Sequence, residues 1–269
     1  MPKPRIVPPK RFLKIAIVCL LVVLGLVYHK QVIRYGYKAW RLQKRFFMKP
    51  SPQQGFNIEY PYGYNVHGID VSRWQDVIDW KKLKTRTIDG DTLNFEFAFI
   101  KATEGTLLED PTFRDNWEDA RKNKVIRGAY HYFLPNADAK LQAKNFMSSV
   151  KLVKGDLPPV IDVEETGKKS KKELVKRIKI FNAEIEKKYK VKPIIYSNIS
   201  FIEDYLADDF DGHFFWIAHY YEEELVIEKS VKWLFWQHSD RAAMFGCKQA
   251  VDVNVFNGNR SRLKELLLK

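Results

Sequence analysis

Leu157-Pro158-Pro159-Val160-Ile161-Asp162-Val163-Glu164 is a short β-branched apolar run that follows two prolines and ends in two carboxylates one residue apart. Prolines before and a polar end after such a run mark it as a buried strand. Side chains alternate across a strand, so Asp162 and Glu164 share one face, their backbones about 6.6 Å apart at about 3.3 Å of rise per residue. That is the scale of a glycosidase acid pair. Two acids at a strand end are also what a solvated or salt-bridged edge looks like, and the surrounding chain has to decide between the two readings.

Working outward, similar runs recur at Val66–Val71, Phe97–Ala102, Arg127–Phe133, Pro193–Ser197, Phe214–His219, Leu234–His238 and Ala250–Val255. Longer polar stretches of helical character separate several of them, which is the rhythm of an α/β fold, and eight strands suggest a barrel. Ser170-Lys171-Lys172-Glu173 is a capping box opening a helix whose apolar face is Leu174, Ile178, Phe181 and Ile185. Asp110-Pro111 reads as an N-cap followed by proline at the first helical position. In a β/α barrel the site lies at the C-terminal ends of the strands. The polar residues there are Asp70, Lys101 with Glu104, His131, Asp162 with Glu164, Tyr196, His219, Gln237 with His238, and Asp252 with Asn254. Nearly every strand contributes one, as expected of a catalytic cleft.

The net charge of +13 over 269 residues would suggest a nucleic-acid partner, but its distribution argues against one. Residues 1–50 hold twelve Lys and Arg and no acid, so 34 bases face 33 acids in the remainder. The fourteen uninterrupted apolar residues Ile15–Tyr28, or seventeen counted from Phe12 across Lys14, fall between a signal-peptide core and a short membrane span. No A-x-A-like site follows, which favours an uncleaved signal anchor over 12–28, after a basic flank at 1–11. A basic and aromatic juxtamembrane linker at 29–64 then leads to a catalytic domain at 65–269. The bases after the span outnumber those before it, which by the positive-inside rule would keep the body in the cytoplasm. Export is nonetheless the expectation, because a first span commonly acts as an export signal and the inferred substrate lies outside. Cys19 and Cys247 are too far apart in character for a disulfide or a thiol metal site to be expected.

Two chemistries fit the ring. The acids could hydrolyse a glycosidic bond, one protonating the leaving oxygen and the other stabilising or attacking the sugar. Alternatively His67, Asp70, His131, His219 and His238 could include ligands of a hydrolytic metal, although no H-x-H or H-E-x-x-H pair occurs. The glycosidase reading also gives a use to Trp74, Tyr130, Tyr132, Tyr196, Trp216, Tyr220 and Trp236 as faces for sugar rings.

The motifs His67-Gly68-Ile69-Asp70-Val71-Ser72-Arg73-Trp74-Gln75, Phe97 to Gly105, Gly128 to Phe133, Leu157 to Glu164, Ile195 to Asn198, Trp216-Ile217-Ala218, Trp236-Gln237 and Val251 to Gly258 together resemble the glycoside hydrolase family 25 lysozymes, in the family's order. The resemblance implies an irregular TIM-like β/α barrel with fewer than eight helices. It implies an N-acetylmuramidase cutting the β-1,4 bond between N-acetylmuramic acid and N-acetylglucosamine, without metal or organic cofactor. By motif, Glu164 matches the general acid and Asp162 the carboxylate that stays ionised beside it, raising the Glu164 pKa by like-charge repulsion. Asp70 and Asp252 match the other cleft acids, while Glu104, Tyr130, Tyr196, Trp216 and Gln237 are expected to line the sugar site. The expected partners are peptidoglycan strands and, through the anchor, a membrane. A monomer with its catalytic domain extracytoplasmic is expected. A peptidoglycan-binding scaffold without catalysis and a metal-dependent polysaccharide hydrolase are the alternatives.

Overall fold

The computed structural model describes residues 60–83, 85–88, 91–244 and 246–269, with Lys14, Val18 and Ile58. Apart from Lys14 and Val18, the expected anchor at 12–28 lies outside the described residues, as does nearly all of the linker at 29–64, and among the described residues no helix is long and apolar enough to cross a membrane.

The elements are β1 (His67–Val71), α1 (Trp80–Leu83), β2 (Thr85–Ile88), β3 (Asp91–Glu104), β4 (Leu108–Glu109), α2 (Phe113–Lys122), β5 (Ile126–Tyr132), α3 (Ala139–Ser149) and β6 (Val160–Asp162). There follow α4 (Lys171–Tyr189), β7 (Ile194–Asn198), α5 (Ile199–Phe201) running into a π turn at Ile202–Leu206, β8 (Phe215–Ala218), β9 (Trp233–Ala242), β10 (Val251–Phe256) and α6 (Arg260–Leu266). All eight strands read from the sequence are present. They pair in the order β1-β10-β9-β8-β7-β6-β5-β3, and β3 closes the barrel on β1. Among the described residues, long helices cover only the β3-to-β7 side, where α2, α3 and α4 supply the crossovers that parallel pairs need.

The barrel departs from eightfold parallel symmetry at one strand. β10 runs antiparallel to both β9 and β1, because the short link from Ala242 to Val251 has no room for a crossover helix. Its beginning therefore lies at the end of the barrel where the other strands finish. β2 pairs antiparallel with the start of β3, Thr85 facing Asn94.

Strand alternation sorts the inside from the outside. Phe97, Phe99, Trp216, Phe235 and Phe256 fill the barrel, with ring centroids 4.9 Å apart for Phe99 and Phe235 and 4.3 Å for Phe99 and Trp216. Two glycines make room for them. A Cβ on Gly68 would stand 2.4 Å from the Phe97 ring, and one on Gly128 2.5 Å from Phe99. The aromatic plug ends below Lys101, Asp162, Asp70 and Gln237, the next inward positions on their strands, so the barrel is apolar at its centre and polar at its mouth.

The Ser170 cap holds as read. Its side chain accepts from Glu173 N at 3.3 Å, and Leu174, Ile178, Phe181 and Ile185 are all buried. The Glu173 side chain turns to Arg177 at 2.9 Å. Asp110 is not the cap expected of it, since α2 starts at Phe113 after Thr112. Its buried carboxyl accepts from Thr112 N and Oγ1 and, across the chain, from Arg73 N at 3.0 Å, tying the turn after β1 to the start of α2.

Candidate active site

The end of β6 is clamped from both sides. Asp162 O accepts from Phe133 N at 2.9 Å, and Val163 N donates to Tyr196 O at 3.0 Å. Ser197 Oγ donates to Val163 O. The extended backbone thus continues past the last formal strand residue, and Asp162 and Glu164 point to the same side. Asp162 is 4 % exposed, whereas Glu164 keeps contact with solvent. The two carboxyls are close enough to shift each other's titration. Burial first, then the neighbouring Glu164 charge, pushes Asp162 well above the usual carboxylate range. Burial within the cleft raises Glu164 as well. Glu164 was expected to be the protonated member, but burial acts more heavily on Asp162, because it lies deeper beneath the rim while Glu164 is open to water.

A second carboxyl pair faces the first. Asp70 on β1 is opposite Asp252 on β10 in the antiparallel ladder. Burial raises Asp70 to about 6 and Asp252 to about 9, the latter also through the Asp70 charge. Asp252 is thus the harder of the two to ionise. Asp70 Oδ2 further accepts from Gln237 Nε2 at 2.7 Å and Asn254 Nδ2 at 2.8 Å. Those amides are oriented in turn. Tyr196 OH and Tyr220 OH donate to Gln237 Oε1 at 2.7 and 2.8 Å, and Trp216 Nε1 donates to Asn254 Oδ1 at 2.7 Å.

This network relocates three residues expected to line the sugar site. Trp216 and Gln237 are each 2 % exposed and Tyr196 7 %. Trp216 lies between Phe99 and Tyr196, with centroids 4.3 and 4.4 Å away. These side chains sit beneath the acids and hold Asp70, because strand alternation turns them into the barrel below its rim. Tyr130 is half-buried, its hydroxyl pushed up by burial and by Asp70, Asp162 and Asp252 around it. Tyr132 and Tyr220 are half-buried, Trp236 is buried, and Trp74 is 70 % exposed with the Arg73 guanidinium 5.1 Å from its ring centroid.

Glu104 accepts from Lys101 Nζ at 2.7 Å, and that buried ammonium lies 4.8 Å from the Tyr132 ring. The Lys101 charge pulls both Asp162 and Glu164 downward against their desolvation. Lys101 and Asn254 were visible as polar strand-end residues and Tyr220 as an aromatic, but only the packing ties Lys101 to Glu104, Asn254 to Asp70 and Tyr220 to Gln237.

The histidines proposed as metal ligands are dispersed. His131 faces outward, stacked on Phe181 at 5.0 Å and bonded to Thr103 Oγ1 at 2.7 Å and Gln142 Oε1 at 3.2 Å. His67 and His238 pack around Tyr60 outside the barrel, with centroids 5.4 and 5.5 Å from it. Among the described residues no three His, Cys, Asp or Glu side chains are grouped as metal ligands.

Comparison with known proteins agrees with this geometry. A family model described as "Glycosyl hydrolases family 25" matches residues 69–247. The chain is 41 % identical over 262 residues to the Escherichia coli O6:H1 protein YegX, covering 97 % of this chain and 95 % of that one. It is 32 % identical over 216 residues to Lysozyme M1 of Streptomyces globisporus, covering 75 % and 71 %. A solved family 25 glycosyl hydrolase from Bacillus anthracis superposes with a TM-score of 0.69 at 29 % identity, over 82 % of this chain and all (100 %) of that one. A closed barrel with one reversed strand, four acids at its mouth and these matches together place the chain in glycosyl hydrolase family 25, as a glycoside hydrolase.

Proposed function

We propose that this glycoside hydrolase is an N-acetylmuramidase that cuts the β-1,4 bond between N-acetylmuramic acid and N-acetylglucosamine in peptidoglycan. The observation that carries the reading is the acid pair at the end of β6, with solvent-facing Glu164 beside buried Asp162 and both carboxyls raised by burial. It is supported by relatives known as Lysozyme M1 and, from Chalaropsis, N,O-diacetylmuramidase. A sugar seated over Glu164 strips water from it, raises its pKa and draws a proton from Asp162 to the carboxyl facing the glycosidic oxygen. Glu164 then protonates the leaving oxygen. Asp162, ionised by that transfer, stabilises positive charge developing at the sugar or orients its N-acetyl group. Asp70 and Asp252 hold substrate and shape the field at the mouth, with Glu104 and Tyr130 at its wall. We further propose that residues 65–269 act outside the cytoplasm in wall turnover, tethered through 12–28.

The test is release of reducing ends from purified peptidoglycan by the full chain, with chelator present, comparing wild type with Glu164→Gln. The reading requires reducing-end muramic acid from the wild type and a loss of at least about 100-fold in the variant, the usual contribution of a general acid. Binding without cleavage by folded wild type would assign the cleft to a scaffold. Activity abolished by chelator would assign it to a metal hydrolase.

A further inference from the structure

The opposite end of the barrel carries a second concave site. The loop entering β6, the turn entering β7 and the stretch after α6 surround a recess of about 770 Å³. Because β5 to β8 are parallel and finish at the acid-bearing mouth, the starts of β6 and β7 lie at the far end. Its lining includes the apolar or aromatic Met147, Val150, Leu152, Tyr189, Leu266 and Leu267. Lys151, Lys154, Lys188, Lys190 and Lys269 stand around it against a single acid, Glu265.

The recess is a built feature. Tyr189 OH donates to Val150 O at 2.9 Å, and the segment after α6 is laced to the loop by Gly155 N to Leu268 O and Leu268 N to Asp156 O, both 2.9 Å. Asp156 is anchored by the buried Arg127 at 2.8 Å. A lining that mixes aliphatic and cationic side chains complements an amphiphilic anion. A glycan or nucleic acid would satisfy the lysines and leave the aliphatic side chains uncovered, whereas an acidic phospholipid satisfies both. The volume is within the range of ligand sites. The sequence adds an independent sign of a lipid surface, since the twelve bases of residues 1–50 flank a fourteen-residue apolar run.

We infer that this recess docks the barrel on a membrane by taking an acidic phospholipid, which turns the catalytic mouth away from the bilayer. The inference does not depend on which glycan the mouth cleaves. The full chain would be mixed with nanodiscs of phosphatidylcholine alone or with about one-third phosphatidylglycerol, and lysine acylation by a water-soluble reagent read by mass spectrometry. With phosphatidylglycerol, Lys151, Lys154, Lys188 and Lys190 should react at least about fivefold more slowly, as attraction of each lysine to an anionic surface implies. Lys168, exposed beyond β6 at the mouth end, should be unchanged. The exposed pair Lys188→Glu and Lys190→Glu should abolish the protection of Lys151 and Lys154 while leaving glycan cleavage intact. Equal labelling on the two discs overturns the inference, as does equal protection of Lys168. Protection by dextran sulfate without lipid overturns it in favour of a polyanion site.

Discussion

Asp252 on the last strand of the barrel stands opposite Asp70 on the first, across the antiparallel ladder that joins them. The pairing exists because β10 is reversed: its second residue, not its end, reaches the mouth. Burial raises both acids, and the Asp70 charge raises Asp252 further.

Removing the Asp252 carboxyl should stabilise the fold in alkali. Asp252 titrates at about 9 in the folded protein against an ordinary 3.8, so the folded state holds the extra proton between those values and stability falls as pH rises through them. The slope is at most about 1.4 kcal/mol per pH unit. Urea midpoints at pH 7 and 9 should drop in the wild type and change much less in Asp252→Asn. Parallel drops would show that the proton is held elsewhere.

Gln237→Leu takes a donor from Asp70 and leaves the Tyr196 and Tyr220 hydroxyls without their acceptor. Loss of buried hydrogen bonds should cost about 1–3 kcal/mol of stability. Asp70 should titrate higher, because its charged form has lost a partner. A kcat–pH profile displaced upward with KM little changed is the expected signature; an unmoved profile would remove Gln237 from the positioning network.

Lys101 opposes protonation of the Asp162–Glu164 pair. Lys101→Met should therefore shift both carboxyls up, moving the alkaline limb of the activity profile by roughly one pH unit. Glu104→Gln, which frees the ammonium from its 2.7 Å partner, should move it the other way. A common direction for both variants would contradict this electrostatic role.

Acid should unfold the protein through its buried imidazoles. Burial lowers His67 to about 4 and His131 and His238 to about 3, from an ordinary 6.5. The unfolded chain takes up protons first, so stability contributed by the neutral rings is complete above about 6.5 and is lost as pH falls toward 3–4, by up to about 1.4 kcal/mol per unit for each ring. Raised carboxyls act with the opposite sign, which makes a double variant informative. His67→Phe with His238→Phe should flatten the decline in unfolding free energy between pH 6 and 4.5.

Asp156→Ala would strand Arg127, which is buried against Trp117 at 3.9 Å and bonded to Trp117 O at 2.6 Å. Breaking a buried ion pair from one side costs about 3–5 kcal/mol. Thermal denaturation should show that loss while the folded fraction keeps its kcat, since the pair lies outside the barrel and away from the acids.

Much of the barrel was legible because each strand is a β-branched or aromatic run bounded by polar residues or proline, and α4 because its apolar residues recur at helical spacing behind Ser170. Asp110 misled because its carboxyl serves Thr112 and a distant backbone N–H of Arg73, a use no local pattern encodes. The aromatic residues divided in the same way. Trp74 and Trp216 read alike in sequence as faces for sugar rings, yet one is open to solvent and the other buried.

What the sequence determined by itself was the one-residue spacing of Asp162 and Glu164, the eight strands and the family, all matters of local pattern and order. Tertiary structure alone decided that Asp70 meets Asp252, that Gln237, Asn254, Tyr196 and Trp216 brace them, and that Asp162 lies deeper than Glu164. The physical reason is desolvation. How far a carboxyl is removed from water, and so which member of a pair keeps the proton, is set by side chains from strands distant in sequence that meet only when the barrel closes.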